Sequence, residues 1–236
     1  MTAQRIALVT GANKGIGKEV ARGLARAGQS VFLGARDLAR GNAAAAELAN
    51  DGDVKAIRID VTDQSSISAA VEMIDKLHAR LDVLVNNAGV NAIKRKPSEE
   101  TIDDFQSVYD TNVFGVVRVT NAFLPLLRRS RAGCIVNVTS LRGSIGDEEA
   151  WAGQTSMLYA SSKTALNALT AHYARELADI PIEVFGAAPS HVATDFNNFR
   201  GKHTPEEGAA IVIKLATDSR GKVSGRNYND LRELPW

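Results

Sequence analysis

Cysteine is almost missing from this chain: Cys134 stands alone. No internal disulfide can form, which suits a reducing compartment. Cys134 lies in the apolar run GCIVNV, where a buried core thiol is the expected reading rather than a nucleophile. Histidine is nearly as scarce. His78, His172, His191 and His203 show no ligand spacing with cysteine or carboxylates, so no metal site is expected. An excess of one charge is also lacking, with 28 Lys and Arg against 27 Asp and Glu. That balance argues against a large electrostatic footprint for nucleic acid or an anionic membrane. Long apolar runs are absent as well. The run before the first glycines is too short for a signal peptide, and no stretch approaches the roughly 18 residues of a membrane span. A soluble, cytoplasmic protein is expected. With no repeat, low-complexity tract or Pro/Gly/Ser linker, residues 1–236 read as a single domain.

What is present is an ordinary globular composition, 44% hydrophobic and 23% charged. Short apolar, β-branched runs alternate with longer helical patterns. Strands are expected at 5–10, 30–35, 54–59, 81–86, 134–140 and 182–188, with an edge strand from KVSGRNY near the end. Helices are expected at about 15–28, 37–50, 65–80, 99–130, 157–178 and 205–217. The last opens with TPEE, where Thr204 can cap and Pro205 suits the first turn. Near-continuous apolar strands separated by helices imply parallel strands covered on both faces. The fold class is therefore α/β, a doubly wound (Rossmann-type), mainly parallel sheet. Ligands in such folds bind beyond the carboxyl ends of the strands, where strand order reverses.

Several unusual residues fall there. TGANKGIG (10–17) follows the first strand and opens the first helix. Gly11, Gly15 and Gly17 allow a tight turn and close backbone approach, and free amides at the helix start face a diphosphate. The spacing is G-x-x-x-G-x-G, not the general G-x-G-x-x-G fingerprint. The second strand ends LGARD, with Ala35 and then Arg36 where an NAD site usually carries a carboxylate. Arg36 and Lys14 are either two solvated surface charges or the cations for a ribose 2′-phosphate. The second alternative predicts a preference for NADP(H).

Further along stands YASSK. Tyr159 and Lys163 are four residues apart and point from one helix face. A free tyrosine titrates near 10 and is a reluctant base, and a nearby ammonium is expected to lower it. Together TGANKGIG, DV at 60–61, NNAG at 86–89, Asn112, Ser140, YASSK and PSHVAT at 189–194 resemble the short-chain dehydrogenase/reductase family over essentially the whole chain. NKGIG, LGARDLARG and RELPW are most similar to its NADPH-dependent carbonyl reductase branch. The resemblance implies a catalytic set of Asn112, Ser140, Tyr159 and Lys163. Ser140 would orient the substrate carbonyl, Tyr159 would supply the proton, and Lys163 would hold the nicotinamide ribose. Asn112 would order a water that links Lys163 to solvent. The implied cofactor contacts are Gly11, Asn13, Lys14, Gly15, Ile16, Gly17 and Arg36, then Asp60, Val61, Asn86, Ala88 and Gly89. Pro189, Val192 and Thr194 complete them, with Tyr159 and Lys163. Asn86 has an equal claim to a purely structural role.

The chain departs from the family at Ser190, where glycine is usual. The added side chain is expected to narrow the pocket, strain the backbone or do nothing. Val90, Asn91, Arg142, Trp151, Met157, Ser190 and His191 are expected to bound an open, permissive substrate pocket. Trp151 is either an apolar wall or a loop cover. The leading functional expectation is an NADPH-dependent reductase of ketones or aldehydes. The alternatives are a 3-oxoacyl-[acyl-carrier-protein] reductase, another alcohol dehydrogenase of the family, and a non-catalytic NADP sensor. Family members pair through their two long helices, so a homodimer or homotetramer is expected.

Overall fold

The computed structural model describes residues 4–92, 95–153 and 156–236. Eight strands form one sheet in the order β3-β2-β1-β4-β5-β6-β7-β8. They are β1 (Ile6–Val9), β2 (Ser30–Ala35), β3 (Val54–Arg58), β4 (Val83–Asn86), β5 (Gly133–Val138), β6 (Ile182–Ala187), β7 (Asn227–Tyr228) and β8 (Glu233–Leu234). All neighbouring pairs are parallel except β7 with β8. The chain is α/β and doubly wound, as the sequence pattern predicts. The expected terminal edge strand is instead a two-strand ending: Asn227–Tyr228 joins β6, and Glu233–Leu234 returns as the edge.

The helices are α1 (Gly15–Arg26), α2 (Leu38–Glu47), α3 (Gln64–His78), α4 (Ile102–Tyr109), α5 (Gly115–Leu127), α6 (Met157–Glu176) and α7 (Pro205–Thr217). Their placement explains why β1 reads IALV with every residue buried. Successive strand side chains point to opposite faces, and both faces are covered here. Ala7 and Val9 meet Val20, Leu24 and Val212 in one core. Ile6 and Leu8 meet Ile67, Ile74 and Phe123 in the other.

The expected helix at 99–130 is broken. After a turn at Pro97–Glu99, α4 is followed by a π turn, Asp110–Phe114, before α5 begins. The extra residue turns Asn112 inward, where its side chain finds partners on two other elements. The Asp110 carbonyl accepts from Arg118 Nη1, and the Asp110 carboxylate from Arg118 Nη2 at 2.7 Å. Such π turns recur at functional sites.

Candidate active site

Strand order reverses at β1, which lies between β2 and β4. The crevice beyond their carboxyl ends is stapled by side chains. Thr10 Oγ1 accepts from the amides of Asn87 and Ala88 at 3.0 and 3.1 Å. Asn87 Nδ2 donates back to the carbonyls of Thr10 and Gly11 at 2.9 and 3.1 Å. Two glycines are required by this closeness. Gly11 has φ +61°, and a Cβ there would lie 2.8 Å from Ala88 Cα. A Cβ on Gly17 would fall 2.4 Å from Asn87 Nδ2. Thr10 and Asn87 stand within the motifs TGANKGIG and NNAG, but neither carries a role in the sequence expectation. Their signal was a hydroxyl and an amide at two strand ends that the topology sets side by side.

The phosphate-binding expectation fits the geometry in part. α1 starts after Lys14 with no side-chain cap and no acidic residue in its first turn, so its amides face outward unopposed. That suits an anion. Gly15, Ile16 and Gly17 form this first turn, with Asn13 beside it, and the Ile16 side chain packs on the core. Asp37, two residues past the end of β2, caps α2 by accepting from Ala39 and Arg40. It is thereby committed, and exposed Arg36 has no carboxylate partner among the described residues. Lys14 differs from expectation: its ammonium is ion-paired with Asp195. Asp60 Oδ1 accepts from the amide and hydroxyl of Thr62, leaving Oδ2 without a partner among the described residues. Val61 is buried against α5, where a Cβ on Gly115 would come within 2.8 Å of its Cγ2.

The Asn86 side-chain amide is engaged within the fold. Its Nδ2 donates to Thr120 Oγ1 at 3.1 Å and to Asn137 Oδ1 at 2.9 Å, and Asn137 in turn donates to Thr170. This buried chain ties β4 and β5 to α5 and α6.

The reacting end gathers on β5 and α6. Ser140 follows β5 and caps a short turn, Leu141–Gly143, by accepting from the Arg142 amide. The Gly143 carbonyl accepts from Thr164 Oγ1 and Asn167 Nδ2, both at 3.0 Å, which presses that turn onto α6. Ser140 is thereby held within hydrogen-bonding reach of the Tyr159 phenol. Burial pushes Tyr159 up to about 12, while the Ser140 hydrogen bond works against that rise. The expected lowering by Lys163 is therefore corrected. The Lys163 ammonium is turned to the Val138 carbonyl at 2.7 Å, and it lies 5.8 Å from the centroid of the tyrosine ring. Burial lowers Lys163 itself to about 8.

Asn112 reaches the same corner. Its Oδ1 accepts from the Val90 amide at 2.8 Å, and its Nδ2 donates to the Val90 carbonyl at 3.0 Å and to Ser162 Oγ at 3.1 Å. Ser162 donates to the Tyr159 carbonyl at 2.7 Å. Gly89 sits just behind, where a Cβ would be 3.3 Å from Asn112 Oδ1 and 3.9 Å from Lys163 Nζ. The small residues of YASSK thus bind the phenol's helix to the loop after β4.

The residues expected around the substrate divide into groups. Val90 stands beside Asn112, and Asn91 is tied to the segment after Thr194. Asn91 Nδ2 donates at 2.9 Å to the carbonyl of Phe196, whose ring meets the Tyr159 ring edge-on at 5.6 Å. The short segment after Thr194 therefore reaches the phenol. Phe196 was not expected from sequence; its signal was an aromatic just beyond Thr194. Arg142, Trp151 and Met157 line a cavity of about 540 Å³ with Ala160, Thr164 and Ala168. At about 100° per residue this face of α6 points away from Tyr159 and Lys163, so these three are brought together but not to the phenol. Trp151 Nε1 donates to the Ile145 carbonyl, which ties it to its own loop. Ser190 is not among the residues with positive φ, and its hydroxyl donates to Asp230 at 3.3 Å rather than reaching into the crevice. His191 lends its carbonyl to the amides of Lys202 and His203. Pro189 is half-buried at the end of β6, and Val192 and Thr194 are buried beside the phosphate turn. Thr194 Cγ2 lies 3.4 Å from where a Gly15 Cβ would stand.

Comparison with known proteins agrees with this arrangement. Residues 5–205 match the short chain dehydrogenase family. A short-chain dehydrogenase of Penicillium roqueforti is 36% identical, covering 98% of this chain and 97% of its own. A 3-oxoacyl-[acyl-carrier-protein] reductase of Synechocystis is 32% identical, over 97% and 96% of the two chains. Among solved structures, the Pseudomonas aeruginosa RhlG/NADP active-site complex superposes with a TM-score of 0.87 at 31% identity, over 97% and 95%. With its doubly wound sheet, glycine turn and Ser-Tyr-Lys corner, the chain belongs to the short-chain dehydrogenase/reductase family of oxidoreductases.

Proposed function

We propose that this protein is an NADPH-dependent carbonyl reductase that interconverts ketones or aldehydes with alcohols. The observation that carries the reading is a buried phenol with a serine hydroxyl beside it and a buried lysine one helical turn on. Tyr159 Oη gives its proton to the substrate carbonyl oxygen, and Ser140 donates to that oxygen as negative charge develops. The chemistry NADP(H) supplies when bound is a hydride, which carries both electrons to the carbonyl carbon. Lys163 would hold the ribose, and Asn112 positions the helix that carries Tyr159 and Lys163. The α1 amides would take the diphosphate, Asp60 the adenine amino group, and Val192 and Thr194 the carboxamide. Arg36 favours a 2′-phosphate, since its neighbour Asp37 is committed to capping α2. A relative in the RhlG/NADP complex supports the same cofactor. No metal takes part in this reading.

A second reading, 3-oxoacyl-[acyl-carrier-protein] reduction, is favoured by the Synechocystis relative. An acidic carrier protein would want a basic rim at the site. Arg128 and Arg129 lie after α5 at the opposite end of the sheet, paired with Glu176 and Asp75. NADPH oxidation measured with simple ketones and with an acetoacetyl thioester separates the two. Turnover of the thioester alone would overturn the carbonyl reductase reading.

No helix among the described residues is long and apolar enough to cross a membrane. A cytoplasmic, single-domain enzyme that pairs through α4–α5 and α6 completes the proposal. Light scattering at the monomer mass would refute the pairing.

A further inference from the structure

The turn Asp195–Asn197 is more firmly built than a surface loop requires. Its neck is closed by a bridge between Val192 and His203, with the Ala193 amide donating to the His203 carbonyl at 2.8 Å. Asn197 Nδ2 donates to the Val192 carbonyl at 2.8 Å, and a Cβ on Gly201 would collide with the Val192 backbone. Two tethers then fix the turn across the crevice: Asp195 to Lys14 on the phosphate turn, and the Phe196 carbonyl to Asn91 after β4. The product of this construction is an aromatic ring standing edge-on to Tyr159 at 5.6 Å while 37% exposed. Val90, next to Asn91, is 36% exposed. A free apolar surface of this kind beside a proton donor has substrate as its natural cover.

From this geometry we propose that Phe196 is a specificity-determining residue: its ring is the wall against which an apolar, ring-bearing substituent of the carbonyl substrate packs. The inference rests on the carbonyl reductase reading and deepens it. A carbonyl oxygen within hydrogen-bonding distance of Tyr159 Oη brings one of its substituents beside the ring that faces the phenol. Aromatic rings favour one another in stacked or edge-on arrangements, so an aryl group gains there what a short alkyl group does not.

The test compares kcat/KM for acetophenone and 2-butanone in the wild type, Phe196→Ala and Phe196→Leu. The acetophenone-to-butanone ratio falls about tenfold or more in Phe196→Ala, and less in Phe196→Leu, which keeps bulk without the ring. Phe196→Tyr restores the wild-type ratio. A ratio within twofold of wild type in a folded Phe196→Ala or Phe196→Leu protein overturns the assignment. Should the wild type reduce neither ketone, the functional reading fails. The wall is then judged by NMR titration of acetophenone into the NADP+-loaded protein. Weaker binding to Phe196→Ala or Phe196→Leu supports it, and equal binding sinks it.

Discussion

The Lys163 ammonium donates to the Val138 carbonyl at 2.7 Å, while the phenol four residues before it lies beside Ser140. Phenol and ammonium therefore titrate in separate ranges. Lys163, lowered to about 8 by burial, is charged below that pH and neutral above it. Tyr159, raised to about 12, keeps its proton throughout the working range. The ketone-reduction kcat/KM should be flat from about pH 6 to 8 and fall above about 8 as the lysine charge is lost. Lys163→Arg, which cannot lose its charge, should remove that break. Tyr159→Phe should lower turnover by about 10²–10⁴-fold, with NADPH binding by fluorescence retained. A profile that rises through pH 8 would contradict the assignment of Tyr159 as proton donor.

The cofactor prediction turns on Arg36. Asp37 already caps α2, and Lys14 is paired with Asp195, so Arg36 is the side chain near the end of β2 with no committed partner among the described residues. Arg36→Asp supplies the carboxylate that a ribose diol takes and repels a 2′-phosphate. The ratio of kcat/KM for NADPH over NADH should drop by about 10–100-fold, the worth of one or two charge-assisted hydrogen bonds. Lys14→Ala should change it less. The reverse order would move the phosphate contact to Lys14.

How much of this was legible in the sequence depended on what each signal measured. Strands were legible because burial on both faces forces continuous apolar runs. The glycine turn and YASSK were legible because each needs particular residue types at fixed spacing. The break at Asp110–Phe114 was not, because no local propensity marks it: a helix absorbs one extra residue only because Asn112 finds Val90 and Ser162 across space. The direction of the Tyr159 shift escaped for the same reason. Spacing placed an ammonium on the same helix face, but the Val138 carbonyl that holds it comes from another strand. Arg142, Trp151 and Met157 were sorted by their nearness in sequence to Ser140 and Tyr159. The helix period carries Met157 to the far face of α6, and Arg142 and Trp151 meet it there from the preceding segment.

Asn112 tests whether the π turn serves stability and chemistry together. Asn112→Ala leaves the Val90 amide and carbonyl without their side-chain partner in a buried corner. The cost should be about 2–4 kcal/mol, or roughly 5–15 °C in Tm for a chain of this size. Asn112→Asp keeps the acceptor for the Val90 amide but loses both donors and sets a carboxylate against the buried Val90 carbonyl, so it should lose at least as much. Both should lower kcat with little change in NADPH affinity. Calorimetry and steady-state kinetics check this, and an Asn112→Ala protein with unchanged Tm would refute the clamp.

The final pair lies where the chain's end meets the segment after Ser140. Arg232 Nη2 donates to Asp147 Oδ2 at 2.6 Å, and the Trp236 carbonyl accepts from the Gly146 amide at 2.7 Å. The Asp147 side chain is 5% exposed and that of Arg232 44%. Removing the guanidinium strands a buried carboxylate, whose other oxygen accepts only from the Glu149 amide among the described residues. Breaking a fully buried pair costs about 3–5 kcal/mol. Water reaches Arg232 and shares the load, so Arg232→Ala should cost about 1–3 kcal/mol. Asp147→Asn in the Arg232→Ala background should recover part of that loss, because a neutral amide is cheaper to leave unpaired. Denaturant unfolding of the double-mutant cycle measures the coupling directly. Additive losses would mean that the C-terminal segment is held by its backbone bond and β8 pairing, with the ion pair contributing nothing.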